Sequence, residues 1–279
     1  MAKDARRIVT IGGAVTEIVY ALGAQARIVA VDTTSVYPPA AMGEHPNVGY
    51  LRMLSAEGVL STRPDLILAD ADAGPPTAIS QMRAAGANIV ILRTSHDAAG
   101  VAYKIRAVAH ALGLAEKGEA LARRYTADMA KLQAAIARVA VKDKPKVLFV
   151  LNIGRGSPLA AGRDTSAASI IALAGGVNAI TGYKGYKPLS PEAGLAAAPD
   201  VVLVTDRTFT SMGGVDGLLD RPELKLTPAG AKRRVISMNG LYLLGFGPRT
   251  ARAVRTLAHR LHPTLDLPPV GDAAGAPRQ

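Results

Sequence analysis

Cysteine is absent from the 279-residue chain. That removes disulfides, thiolate zinc sites, iron–sulfur clusters and cysteine nucleophiles together, and it is compatible with any compartment. Tryptophan is absent too and phenylalanine occurs three times, so few rings are available to stack on nucleic-acid bases. Negative charge is the scarcer sign: 22 Asp and Glu stand against 33 Lys and Arg, a formal net charge of +11. Such a balance suits nucleic acid, anionic lipid or an anionic small molecule. The cations are scattered, however, and no helix-turn-helix or RNA-binding signature accompanies them, so a solvated basic surface is favoured over nucleic-acid binding. No apolar run is long enough to span a bilayer. Residues 1–7 run straight into a strand without a signal-peptide pattern, so the expectation is either a cytosolic protein or a mature form given a new start Met. Neither the dinucleotide G-x-G-x-x-G fingerprint nor the P-loop pattern with its Lys-Ser/Thr occurs.

What the chain does contain is a repeat. Gly49-Tyr50-Leu51-Arg52-Met53-Leu54-Ser55-Ala56-Glu57-Gly58 leads to Pro64-Asp65-Leu66-Ile67-Leu68-Ala69-Asp70, and Gly185-Tyr186-Lys187-Pro188-Leu189-Ser190-Pro191-Glu192-Ala193-Gly194 leads to Pro199-Asp200-Val201-Val202-Leu203-Val204-Thr205-Asp206. The Glu precedes the Pro-Asp by the same interval in both copies. A repeat this long lies above solenoid periods and indicates two homologous lobes. Two α/β lobes with matching loops leave a crevice, and ligands favour domain interfaces and the carboxyl ends of parallel strands. The loop at Tyr50 and the post-strand loop at Arg207 are expected there.

The local signals agree with this. Arg7–Ile11 reads as a strand, Gly12-Gly13 as a turn and Ala14–Gly23 as an apolar helix closed by glycine. Ser55 and Ser190 are natural N-caps, Pro191 suits the first helical position, and Glu57 and Glu192 sit in first turns where a carboxylate complements the helix dipole. From Ala115 to about Val141 the composition is that of one long helix, read as a rigid connector of about 40 Å. The expected domains are therefore an N-terminal α/β lobe over 1–114, a linking helix over 115–142 and a C-terminal α/β lobe over 143–279. In the second lobe, Val147–Leu151 is a strand followed by a loop at Gly154–Pro158. Leu243–Arg249 turns into a closing helix, and a tail from Pro263 is expected to fray.

The two lobes, the long helix and the paired Leu-Ser-x-Glu segments resemble the periplasmic binding proteins of bacterial importers for cobalamin, iron siderophores and haem. That resemblance covers nearly the whole chain and implies their class III fold: two similar Rossmann-like lobes joined by one long α-helix. The segment around Tyr50, together with Ala161-Gly162-Arg163-Asp164-Thr165 and Leu244-Gly245-Phe246-Gly247-Pro248-Arg249, is similar to the haem-binding branch. Members of that branch deliver haem to an inner-membrane ABC permease dimer driven by its ATPase. The resemblance thus implies haem b (iron protoporphyrin IX) as transported ligand, a periplasmic location and a protein that is not an enzyme. Tyr50 is the implied axial ligand, since phenolate is a hard anionic donor that stabilises ferric iron. Its ionisation is helped by a nearby cation, Arg52 or Arg207.

No histidine lies near Asp164 or Tyr186, so Tyr50 is expected to ligate without a His partner. Tyr186, Phe209, Met212 and Phe246 are implied pocket-lining residues, with packing open for each. Arg249 is either a propionate ligand or a structural residue. Glu57 and Glu192 are the implied permease-docking positions, one per lobe, and they also serve as first-turn acids. The protein is expected to be monomeric and to bind no nucleic acid.

Two rivals remain. One keeps the fold and binds a ferric siderophore or cobalamin. The other is an α/β enzyme on an anionic substrate using Asp70, Asp206 or Glu17, for which no nucleophile–His–acid set can be assembled.

Overall fold

The computed structural model describes residues 5–93, 95–151 and 156–271. The loop predicted at Gly154–Pro158 thus falls partly outside the described residues. Two compact units organise the chain. The first contains the described residues up to Met129 together with Gly245–Thr250 and Gly271; the second contains those of Ala130–Leu244 and Ala251–Val270.

The first unit is built on four short strands, β1 (Ile8–Ile11), β2 (Ile28–Val31), β3 (Leu66–Asp70) and β4 (Ile89–Leu92). They form a sheet of order β2-β1-β3-β4 in which every pairing is parallel. β1 and Leu66–Ala69 of β3 are fully buried, as the continuous apolar sequences of central parallel strands require. Helices α1 (Gly13–Ala21), α2 (Pro39–Glu44), α3 (Ala56–Leu60), α4 (Pro76–Ala84) and α5 (Ala98–Ala111) connect and flank them. The β1–α1 turn needs glycine: Gly12 has φ 110°, and a Cβ there would lie 2.9 Å from that of Asp70. Buried Asp32, just beyond β2, fixes the same turn. It accepts from the Gly12 amide at 2.8 Å, the Ser35 hydroxyl at 2.9 Å and the Thr34 hydroxyl at 2.7 Å.

Helix α6 (Ala115–Ile136) is the long helix expected from the sequence, ending five residues before Val141. β-branched Val139 and Val141 weaken helical propensity there, and a short 3₁₀ turn over Val141–Asp143 leads out. Gly118 in its first turns lies where a Cβ would come within 2.1 Å of Ala109 Cβ on α5.

The second unit repeats the first topology. β5 (Lys146–Leu151) pairs in parallel with β7 (Val177–Asn178) and β9 (Val201–Thr205), and β9 pairs in parallel with β10 (Val235–Met238). The order β7-β5-β9-β10 is thus that of β2-β1-β3-β4. An addition distinguishes it: β6 (Leu159–Ala161) and β8 (Tyr186–Pro188) extend the sheet antiparallel beside the last residues of β5. Helices α7 (Ser166–Leu173), α8 (Pro191–Ala197), α9 (Asp206–Ser211), α10 (Gly214–Leu219), α11 (Pro228–Ala231), α12 (Gly240–Leu244) and α13 (Thr250–Leu261) complete the chain.

The tail is more tightly held than its composition suggested, as far as the described residues go. Leu267 is buried, Arg255 Nε donates to the Pro268 carbonyl at 2.9 Å, and the Gly271 amide donates to Asp128 at 3.1 Å.

Candidate functional site

Tyr50 occupies a loop fixed from both sides. Upstream, the Val48 amide donates to the Val31 carbonyl and the Thr33 amide to the Gly49 carbonyl, continuing the edge of β2; Gly49 takes φ 96° to make the turn. Downstream, a turn closes with the Met53 amide donating to the Tyr50 carbonyl at 2.7 Å. Leu54 and Gly74 then exchange backbone bonds with the segment after β3 through Leu54 N–H to Gly74 O and Gly74 N–H to Leu51 O, each 2.8 Å. Leu51 and Leu54 point into the core, while Met53 is 76% exposed. Burying Leu51 and Leu54 leaves Tyr50 and Arg52 outside, with Tyr50 39% exposed.

Arg52 Nη1 donates to the Tyr50 hydroxyl at 2.7 Å, and Nη2 is ion-paired with Asp72. Burial works against the guanidinium charge, but the hydrogen bonds to Tyr50 and Asp72 and the Asp72 charge outweigh it, so Arg52 is held above its ordinary value. Asp72 was not singled out from the sequence. It stands two residues past the end of β3, and the turn that brings it to Arg52 depends on the Leu51–Gly74 bonds rather than on any local motif.

Phe246 and Arg249, the first-unit candidates from the closing segment, are internal. Phe246 is 1% exposed with φ 49°, its ring edge-on to His96 at 5.1 Å. Arg249 is 6% exposed. Its amide and Nη2 donate to the two carboxylate oxygens of buried Glu17 at 3.0 and 3.1 Å, and its guanidinium lies 3.4 Å from the centre of the Tyr37 ring. Of the two roles open for Arg249, its position supports the structural one, and neither Phe246 nor Arg249 offers free surface. Burial raises the Glu17 carboxyl above its ordinary value despite Arg249. Asp70 bonds to buried Lys104 at 3.2 Å, and Asp206 holds the Ser237 hydroxyl. The three acids considered for an enzyme are therefore held in structural contacts.

In the second unit, Tyr186 pairs with Ala161 in the β6–β8 ladder and is 37% exposed, its ring edge-on to buried Phe149 at 6.3 Å. The Gly162–Thr165 segment continues from β6 into α7, where the Thr165 hydroxyl caps the helix by accepting from Ala168 N–H at 3.1 Å. Arg207 is exposed in the first turn of α9, directly after β9. Phe209 and Met212 on the same helix are half-buried and pack against the core of Leu148, Val150, Val202 and Val204. Among the described residues no group of three His, Cys, Asp or Glu could hold a metal. His262 Nε2 bonds to the Gly175 carbonyl at 3.1 Å.

Glu57 and Glu192 begin equivalent helices. Ser55 accepts from Gly58 N–H and Ser190 from Ala193 N–H, each at 3.2 Å, and both glutamates are exposed. Hydrogen bonding by its own backbone amide and by Ser190 keeps the Glu192 carboxyl below its ordinary value.

Two sheets sharing a four-stranded parallel core of the same order, with matching capped helices, define a two-unit α/β binding protein. The model of the periplasmic binding protein family matches residues 8–240, and the chain belongs to that family. Among solved structures it is similar to the periplasmic heme-binding protein RhuT from Roseiflexus sp. RS-1 in apo form, at 44% identity and a TM-score of 0.89, covering 94% of this chain and 100% of that one. It is also similar to the periplasmic heme-binding protein BhuT in complex with two hemes, at 48% identity and a TM-score of 0.87, with 93% and 99% covered. A vitamin B12-binding protein of Vibrio cholerae is 28% identical over 208 residues, 74% of this chain and 73% of that protein.

Proposed function

We propose that the chain binds ferric haem, as haem b, with Tyr50 as axial ligand, and delivers it in the periplasm to an inner-membrane ABC permease for haem and iron uptake. It is a binding protein and not an enzyme, as its family is. The observation that carries the reading is a Tyr50 side chain exposed by 39% as a residue, with Arg52 Nη1 2.7 Å from its hydroxyl. Phenolate is a hard oxygen donor of the kind ferric iron prefers, and a guanidinium donating to that oxygen complements its negative charge once iron is bound. Asp72 keeps the guanidinium aimed at that oxygen. Identity of 44–48% to heme-binding proteins supports the same ligand class.

Arg207 belongs to the reading as an exposed ligand-binding cation, and Tyr186, Phe209 and Met212 as contributors of ring and apolar contacts. Phe246 and Arg249 act behind the site by fixing the first unit. Glu57 and Glu192 meet basic side chains of the permease, and the protein works as a monomer.

The test is a hemin titration of the protein and of Tyr50→Ala, read by visible absorption. Saturable binding with a ferric tyrosinate-like spectrum, lost or altered in the variant, is the expected result. Equal spectra from both proteins would remove Tyr50 as ligand. The relatives named as vitamin B12-binding favour a second reading, a cobalamin carrier of the same fold. Saturable cobalamin binding with no Soret band on hemin addition would select it.

A further inference from the structure

Next to Glu192 the second unit carries a small cavity of about 200 Å³, bordered by Pro191, Leu195, Pro222 and Leu226 with Glu192 and Glu223 among its walls. It is smaller than the roughly 300–1,000 Å³ of small-molecule sites, so it suits one side chain rather than a free ligand. Its apolar walls face water: Leu195 is 51% and Leu226 76% exposed.

These walls are rigid. Helix α8 lies so close to the facing loop that a Cβ on Gly194 would sit 1.9 Å from the Glu223 carbonyl oxygen. Glu223 is 4% exposed and held by Arg221 through two contacts of 3.3 Å, Leu224 is fully buried, and Thr227 donates to the Leu224 carbonyl at 2.7 Å while capping α11. Leu226 is thus an exposed leucine on a fixed loop. Glu223 already has its cation. Glu192 has no ion-pair partner among the described residues, which leaves one accessible carboxylate at an apolar cavity in a chain of net charge +11. The facing wall belongs to the crossover between β9 (ending at Thr205) and β10 (starting at Val235), which is longer than the equivalent first-unit connection from Asp70 to Ile89.

We infer that this cavity is a socket for one long-stemmed cationic side chain, arginine or lysine, of the membrane partner: the aliphatic stem lies between Leu195 and Leu226 and the charged head reaches Glu192. The inference rests on the docking role proposed for Glu192. Such side chains bury their stems on apolar surface while the head keeps a polar partner, which is the chemistry this cavity offers. Docking through the second unit is consequently the stronger of the two contacts.

The experiment measures binding of the haem-loaded protein to its cognate permease–ATPase complex in nanodiscs, using Leu195→Ser, Leu226→Ser, Glu192→Gln and Glu57→Gln. Because these side chains are exposed or partly exposed, an unchanged haem spectrum and thermal midpoint verify folding. Each serine variant is expected to weaken binding by about tenfold, more than Glu57→Gln does, and Glu192→Gln to flatten the salt dependence. If Glu192→Gln weakens binding while both serine variants stay within about twofold of wild type, the docking role stands and the socket fails. If none of the four changes binding, or the wild type does not bind, both fail. Importer binding unchanged by Leu226→Ser, with loss of self-association in sedimentation, would make a second copy the occupant and overturn the inference.

Discussion

At the scale of residues, Arg52 is the side chain on which the ligand reading turns. Its hydrogen bond to Tyr50 is charge-assisted, a class contributing about 1.5–3 kcal/mol when well buried and less at an exposed site. Arg52→Ala is therefore expected to weaken hemin binding by roughly tenfold. A titration curve superimposable on the wild type would assign the guanidinium to Asp72 alone.

His96 gives a second residue-level prediction. Burial, and after it the charge of Lys104, hold its imidazole below the ordinary value against the opposing pull of Asp72, Asp70 and Asp97; burial does the same to His45 against Glu44. A depressed histidine binds fewer protons folded than unfolded, so its contribution to stability is intact above the unfolded value of about 6.5 and declines as pH falls from there through the folded value. Thermal midpoints between about pH 7.5 and pH 5 should fall in the wild type and fall less in His96→Gln. Equal declines would show that the ring titrates alike in both states.

At the scale of elements, Gly118 contradicts its usual cost. A glycine inside a helix is ordinarily about 1 kcal/mol worse than alanine. In α6 it lets the helix approach α5 where an added Cβ would meet Ala109 at 2.1 Å, so Gly118→Ala is expected to destabilise by about 1–3 kcal/mol in chemical denaturation. A gain in stability would mean that the two helices separate freely.

The elements also mark what the sequence revealed. The Ser-x-Glu starts of α3 and α8 and the buried strands β3 and β9 were legible because caps and apolar runs are local signals. The β6–β8 pair was not, since strands of three residues carry no usable alternation. The Arg249–Glu17 pair was equally hidden, because it joins positions 232 residues apart through packing alone. Tyr50 was legible through its place in the repeat, whereas Asp72, which supports Arg52, depended on loop–loop hydrogen bonds that no motif encodes.

At the scale of the whole molecule, the duplicated topology places one exposed first-turn glutamate on each unit, the pair proposed above to meet the two halves of a dimeric permease. The double variant Glu57→Gln, Glu192→Gln should retain its hemin spectrum and affinity yet lower haem uptake by reconstituted importer by about tenfold or more. Undiminished uptake would remove both glutamates from docking.

The return of Gly245–Thr250 to the first unit bears on how this gene can be dissected. A fragment ending at Met129 holds all four strands of the first sheet but ends more than a hundred residues short of Arg249, leaving Glu17 buried against an apolar interior with no cation. Removing one partner of a buried pair costs about 3–5 kcal/mol, enough to unfold many isolated domains. An independently expressed first unit therefore needs residues 245–250 spliced back by a designed linker, and fragments from a protease cut within the second unit should co-elute until denatured.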